Sequence, residues 1–198
     1  MSFNNALELY DLEKSKVSFA QVDNKELTVL AENLNQLENA IHQKYNGDDH
    51  LSEISGFLKR IFFKFLGSLL PYNQVVNEDK QKELLSKFYE VKSSYPELFS
   101  NLVINIAKSF NDLLTINENT MANYIYNKIN NDLNRDIEIA IITKRGISSV
   151  ERAEIIEDPN FTRISFYTEY SFRKEIKVFD LIIYIGSPDY FSPYIRNT

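Results

Sequence analysis

Phe179-Asp-Leu-Ile-Ile-Tyr-Ile-Gly-Ser-Pro188 decides the fold of this 198-residue chain. Leu181 to Ile185 form an unbroken apolar run, which reads as a strand buried on both faces, as in a parallel sheet covered by helices. The run stops at Gly186-Ser-Pro-Asp189, as a buried parallel strand does where it meets a ligand-facing loop. Two further stretches read as strands: Asp136-Ile-Glu-Ile-Ala-Ile-Ile-Thr143 and Thr162-Arg-Ile-Ser-Phe-Tyr-Thr168. Between them, Ser148-Ser-Val-Glu-Arg-Ala-Glu-Ile-Ile-Glu157 reads as a helix, with Ser148 as cap and Glu151 at capping-box spacing. Pro159 ends that helix. Tyr167, Tyr170 and Phe172 read as an exposed or edge region.

Upstream the period changes from that of strands to that of helices. Asp23 or Asn24 caps a helix to about residue 45, whose Leu27, Leu30, Leu34, Leu37 and Ile41 form an a/d seam against a neighbouring helix. Asn46-Gly-Asp-Asp49 is a turn and a cap. The next helix covers about 51–70 and stops before Pro71, with a broad stripe from Ile54 to Leu69 that suits the centre of a bundle. A third helix covers 78–94, and Pro96 opens a fourth that carries Leu98, Val103, Ile106, Phe110 and Leu113. A fifth covers about 119–132.

The expected fold is therefore α+β or α/β: an N-terminal helical region of about five helices, then a small Rossmann-like, mostly parallel three-stranded sheet. The expected divisions are an arm at 1–22, the helical region at 23–133 and a small α/β unit at 134–198 packed on the helices.

Composition narrows the chemistry. The formal charge is −6, with 13 basic and 18 acidic residues in 1–133 and 9 and 10 in 134–198. A direct nucleic-acid binder needs a surplus of Lys and Arg, so any link to nucleic acid is expected to be indirect. With no cysteine, disulfides, thiolate metal sites and cysteine nucleophiles are excluded. The apolar stretch at 57–70 is interrupted by Lys59, Arg60 and Lys64, so no transmembrane segment is expected. It resembles a membrane-surface helix, but within a bundle its stripe reads first as core. No leader pattern is read in the first fifteen residues, and a cytoplasmic location is expected.

No complete catalytic motif is present. Neither a Gly-x4-Gly-Lys-Ser/Thr loop nor a Gly-x-Gly-x-x-Gly fingerprint occurs. His42 and His50 are the only histidines and read as surface turn residues, so neither a metal nor another cofactor is expected. Asp136, Glu138 and Glu169 lack the arrangement of a nuclease carboxylate cluster. Candidate ligand-binding residues lie at the strand ends: Thr143 and Lys144 after the first tail strand, and Gly186, Ser187 and Asp189 after the last. Open α/β sheets bind ligands outside the carboxyl ends of their strands. Lys144 or Arg145 is placed to meet a phosphate at the next helix start. The simpler readings are a solvated loop and a glycine turn.

The order of elements from Glu118 to the end resembles the opening of the second RecA-like lobe of helicase-type ATPases. It is carried by residues 119–131, by Ile137-Glu-Ile-Ala-Ile-Ile-Thr-Lys144 and by Phe179 to Pro188. The Gly-Ser-Pro-Asp-Tyr-Phe191 ending is similar to helicase-related proteins of bacterial phage-defence systems. This resemblance implies a fragment or degenerate subunit of a larger ATPase, which does not hydrolyse ATP alone because Walker motifs are missing.

Two functions follow as expectations. The first is a non-catalytic protein-interaction or scaffold domain, with a protein partner meeting exposed parts of the tail, where 10 of the chain's 26 aromatics fall within 161–194. The alternative is a Rossmann-like nucleotide- or phosphate-binding module.

Overall fold

A computed structural model of the chain describes residues 20–132, 137–156 and 163–186. The proposed arm at 1–22 lies almost wholly outside these residues. The chain divides into two compact units, one of them Asp23–Tyr124 and the other Met1–Val22 with Ile125–Thr198. That division falls within a helix, whereas the sequence reading divides after residue 133.

The first unit is helical. Asn24 accepts a hydrogen bond from the Leu27 N–H at 2.7 Å and caps α1 (Lys25–Lys44). Leu27, Leu30, Leu34, Leu37 and Ile41 are all buried, as the seam predicts, and α1 packs on α2 (Asp49–Gly67). The turn between them needs a left-handed backbone at Asn46 (φ 52°) and Gly47 (φ 71°). Asp48 then caps α2 by accepting from the Leu51 N–H at 2.9 Å. Phe57, Ile61 and Phe65 are buried, and Lys59 pairs with Glu38, so α2 is a core element.

α2 ends at Gly67, a few residues earlier than its apolar stripe suggests, because Ser68 adopts an extended backbone. A short α3 (Tyr72–Val75), unexpected from sequence, turns the chain into α4 (Glu78–Ser94). Pro96 opens the next helix as expected, but the helix is not uniform. α5 (Pro96–Leu98) passes into a π-helical segment (Phe99–Val103) and then α6 (Ile104–Thr115). The wider turn brings Leu98 and Val103, five residues apart, into the same core as Ile106 and Phe110. Phe110 lies 6.2 Å from the rings of both Phe65 and Phe88.

Asn119 joins the α2–α3 corner to α7 (Thr120–Asp132). Its side chain is 3% exposed and uses both ends. Nδ2 donates to the carbonyls of Ser68 (2.9 Å) and Leu70 (2.8 Å). Oδ1 accepts from the amides of Met121 (3.0 Å) and Ala122 (3.1 Å), which caps the helix.

The second unit holds a three-stranded parallel sheet in the order β2-β1-β3. β1 is Ile139–Thr143, β2 is Ile164–Thr168 and β3 is Leu181–Ile185. β1 and β2 are shorter than the stretches that announce them, while β3 coincides with its apolar run. Ile139, Ile141 and Thr143 share one face with Phe166 and Ile183; Ala140 and Ile142 share the other with Tyr167 and Tyr184. α8 (Ser149–Ala153) starts on the expected capping box, and Arg152 lies 5.1 Å from the Phe166 ring centre. α9 (Glu169–Phe172) follows β2 directly and packs on β1 and β2. The whole is a mostly helical chain with a small open parallel sheet. No helix among the described residues is long and apolar enough to cross a membrane.

Replacing Asn119 with alanine strips the α7 cap and removes the donor to the Ser68 and Leu70 carbonyls. Denaturant titration is expected to show a loss of about 2–3 kcal/mol. Asn119→Asp retains the two accepted bonds but sets a buried carboxylate oxygen against two carbonyls, and is expected to lose at least as much.

Candidate functional site

The strand order sets where a ligand or partner meets the sheet. β1 is central, and the chain runs from it to β2 on one side before crossing to β3 on the other. The crevice at a change of direction therefore lies between the carboxyl ends of β1 and β3. Thr143 is in register with Ile185, so Lys144 and Gly186 follow on neighbouring strands. Three of the five candidate residues, Thr143, Lys144 and Gly186, thus come to one end of the sheet. Ser187 and Asp189 lie outside the described residues.

The polar groups at this end are engaged within the chain. Thr143 is buried, and its hydroxyl donates to the Arg145 carbonyl. Lys144 pairs with Glu169 at 3.2 Å, and Arg173 binds the same carboxylate from α9. Arg145 donates to Glu151 at 2.6 Å. The Glu151 carboxylate also accepts from the N–H and hydroxyl of Ser148, both at 3.1 Å. It is only 3% exposed and sits where the sequence reading places a phosphate. An internal anion thus holds the loop after β1, and α8 has only five residues with which to attract another. Gly186 has φ 125°, a conformation closed to residues with a Cβ, so the glycine is required by the backbone there.

One face of the sheet carries an aromatic cluster. Tyr167 and Phe172 lie 5.5 Å apart, Tyr167 and Phe179 5.7 Å, and Phe172 and Tyr184 6.5 Å. Tyr167 and Phe172 are half-buried in this cluster rather than exposed, while Tyr170 is exposed as expected. The Tyr167 hydroxyl donates to Glu175 at 2.8 Å. Burial, then that bond, raises the Tyr167 pKa, and the same bond with the Lys177 and Ile176 amides lowers that of Glu175.

The residues expected at a nuclease centre are apart. Glu138 precedes β1 and pairs with Lys177 at 2.9 Å, whereas Glu169 follows β2 at the opposite end of the sheet. Asp136 lies outside the described residues. His50 pairs with Glu90 at 3.2 Å. Among the described residues no group of three or more His, Cys, Asp or Glu side chains gathers as a metal site.

The β3 edge departs most from the sequence reading. The run at 181–185 reads as buried on both faces, yet β3 is an edge strand, and among the described residues it pairs with β1 alone. Ile182 is 41% exposed, while the β1 residues 139–142 are fully covered. The approach to β3 is equally bare, with Ile176 81% and Val178 66% exposed. Apolar composition identifies a strand that is suited to burial; it does not say on which side the covering neighbour lies.

No protein-family model, curated protein or solved structure matches the chain.

Proposed function

We propose that this chain is a non-catalytic protein-interaction module that takes up an extended segment of a partner on the apolar side chains before and on β3. The observation that carries the reading is the exposure of Ile176, Val178 and Ile182, which are 81%, 66% and 41% open to solvent. Apolar side chains left open in this way are a surface for a partner to bury. The setting we propose is a larger helicase-like or defence assembly, in keeping with the resemblance of the tail to a RecA-like lobe. Nucleic acid then enters only through that assembly.

The test uses a generic strand: a synthetic peptide of alternating valine and threonine with terminal arginines for solubility, titrated into the isotope-labelled chain. Amide shifts are expected to concentrate on 181–185, with Ile176 and Val178 beside them. Shifts that are absent, or spread without regard to β3, contradict the reading.

A second reading is a Rossmann-like nucleotide- or phosphate-binding module. The adjacency of Thr143, Lys144 and Gly186 at the β1/β3 crevice favours it. It requires a ligand anion to draw Lys144 away from Glu169. A saturating ligand, at about 100 times its dissociation constant, then adds about 2.7 kcal/mol of stability. Thermal shift with nucleotides, dinucleotides and phosphate, with and without magnesium, is expected to give a rise that Lys144→Ala removes. A flat response, or one that Lys144→Ala leaves unchanged, rejects this module.

A further inference from the structure

The helical unit carries an exposed apolar face of its own, on α4. We infer that this face docks an amphipathic helix of a partner protein that has a carboxylate at each end of its apolar stripe. None of the residues concerned belongs to the β3 surface, so the two stand or fall separately.

α4 turns Leu84, Phe88 and Val91 into the core. Away from these, Leu85 is 56% and Tyr89 67% exposed, and the two are neighbours one helical turn apart. Lys82 and Lys92, both exposed, continue the same row on either side. Lys82, Leu85, Tyr89 and Lys92 thus have the alternating three- and four-residue steps of a seam that packs on another helix. The two lysines are about 15 Å apart along the axis.

Charge says what kind of helix fits. Elsewhere on α4, Lys80 pairs with Glu83, and Lys87 pairs with Glu90, which also holds His50. Glu78, one turn before Lys82, and Asp79 lie in the first turn, where the helix N-terminus stabilises them. Among the described residues Lys82 and Lys92 form no ion pair; Lys92 lies 5.9 Å from the centre of the Phe99 ring, a contact that leaves its charge unanswered. Two unanswered cations therefore bracket the apolar pair, in a chain whose net charge is −6. A second copy is a poor occupant. With Leu85 and Tyr89 in contact across either a parallel or an antiparallel pair of α4 helices, each seam lysine falls opposite a lysine. The complementary helix reads acidic-x-x-apolar-x-x-x-apolar-x-x-acidic. Run antiparallel, its carboxylates meet Lys92 and Lys82 while its apolar residues cover Tyr89 and Leu85.

Two alanine- and glutamine-based helical peptides serve as probes, each with a Leu-x-x-x-Leu pair, one bracketed by glutamate and the other by lysine. Titrated into the isotope-labelled chain, the glutamate peptide is expected to shift the amides of 82–92 and to bind at least about tenfold more tightly than the lysine peptide. Leu85→Ser with Tyr89→Ser changes only exposed side chains and is expected to abolish binding. Lys82→Glu with Lys92→Glu is expected to invert the preference, so that the lysine peptide binds the more tightly. Equal binding of the two peptides, binding of neither, shifts away from α4, or a preference that survives the charge reversal overturns the proposal. Light scattering covers the remaining occupant: a dimer of the unmodified chain that Leu85→Ser with Tyr89→Ser dissociates assigns the face to a second copy and rejects the acidic helix.

Discussion

Parallel pairing of β1 on both sides is the constraint from which the functional end of this chain follows. Ile139 to Ile142 have no solvent exposure, so β1 cannot be shifted by one residue without turning four buried positions to opposite faces. Its fixed register sets Thr143 beside Ile185 and puts Tyr167 and Tyr184 on the face that α9 covers. It also assigns the two remaining strands to the edges. β2 is followed at once by α9, whose Phe172 packs on Tyr167. β3 has Tyr184 in the same cluster and carries Ile182, which is 41% exposed. The proposed interaction surface is this residue with Ile176 and Val178 before the strand.

Charge at the sheet end follows a different rule. Three basic side chains, Lys144, Arg145 and Arg173, gather near the ends of β1 and β2, and two carboxylates of the same chain answer them. Glu151 is the more telling of the two, since a carboxylate that is nearly enclosed is tolerated only when its lone pairs are filled. Arg145 and Ser148 fill them. The loop is thereby braced from within, which suits a structural role better than the capture of a free anion. Asn119 acts in a similar way in the helical unit, where one amide satisfies two carbonyls and two backbone N–H groups.

Much of this was legible in the residues. The seam from Leu27 to Ile41, the cap at Asn24, the Pro96 start and the capping box at Ser148 and Glu151 are local patterns, and local geometry fulfils them. The three strands were legible from apolar runs, and β3 coincides with its run. Other features depend on neighbours distant in the chain. The π segment at Phe99–Val103 arises because Leu98 and Val103 must both reach the core, which no helical period announces. The edge position of β3 depends on strand order, and an apolar run reads alike in the centre or at the edge. The candidate site was half legible: Thr143, Lys144 and Gly186 meet, but their engagement with Glu169 and the backbone was not visible from spacing. Ser187 and Asp189 lie outside the described residues.

The account stands on Ile176, Val178 and Ile182 forming an apolar surface open to a partner, and methyl-resolved accessibility to a soluble paramagnetic probe measures that directly. Strong probe effects at the methyls of these three residues are expected, with weak ones at Ile139, Ile141 and Ile142 of β1. Protection of the three methyls to the level of β1 contradicts an exposed surface, and with it the proposed interface.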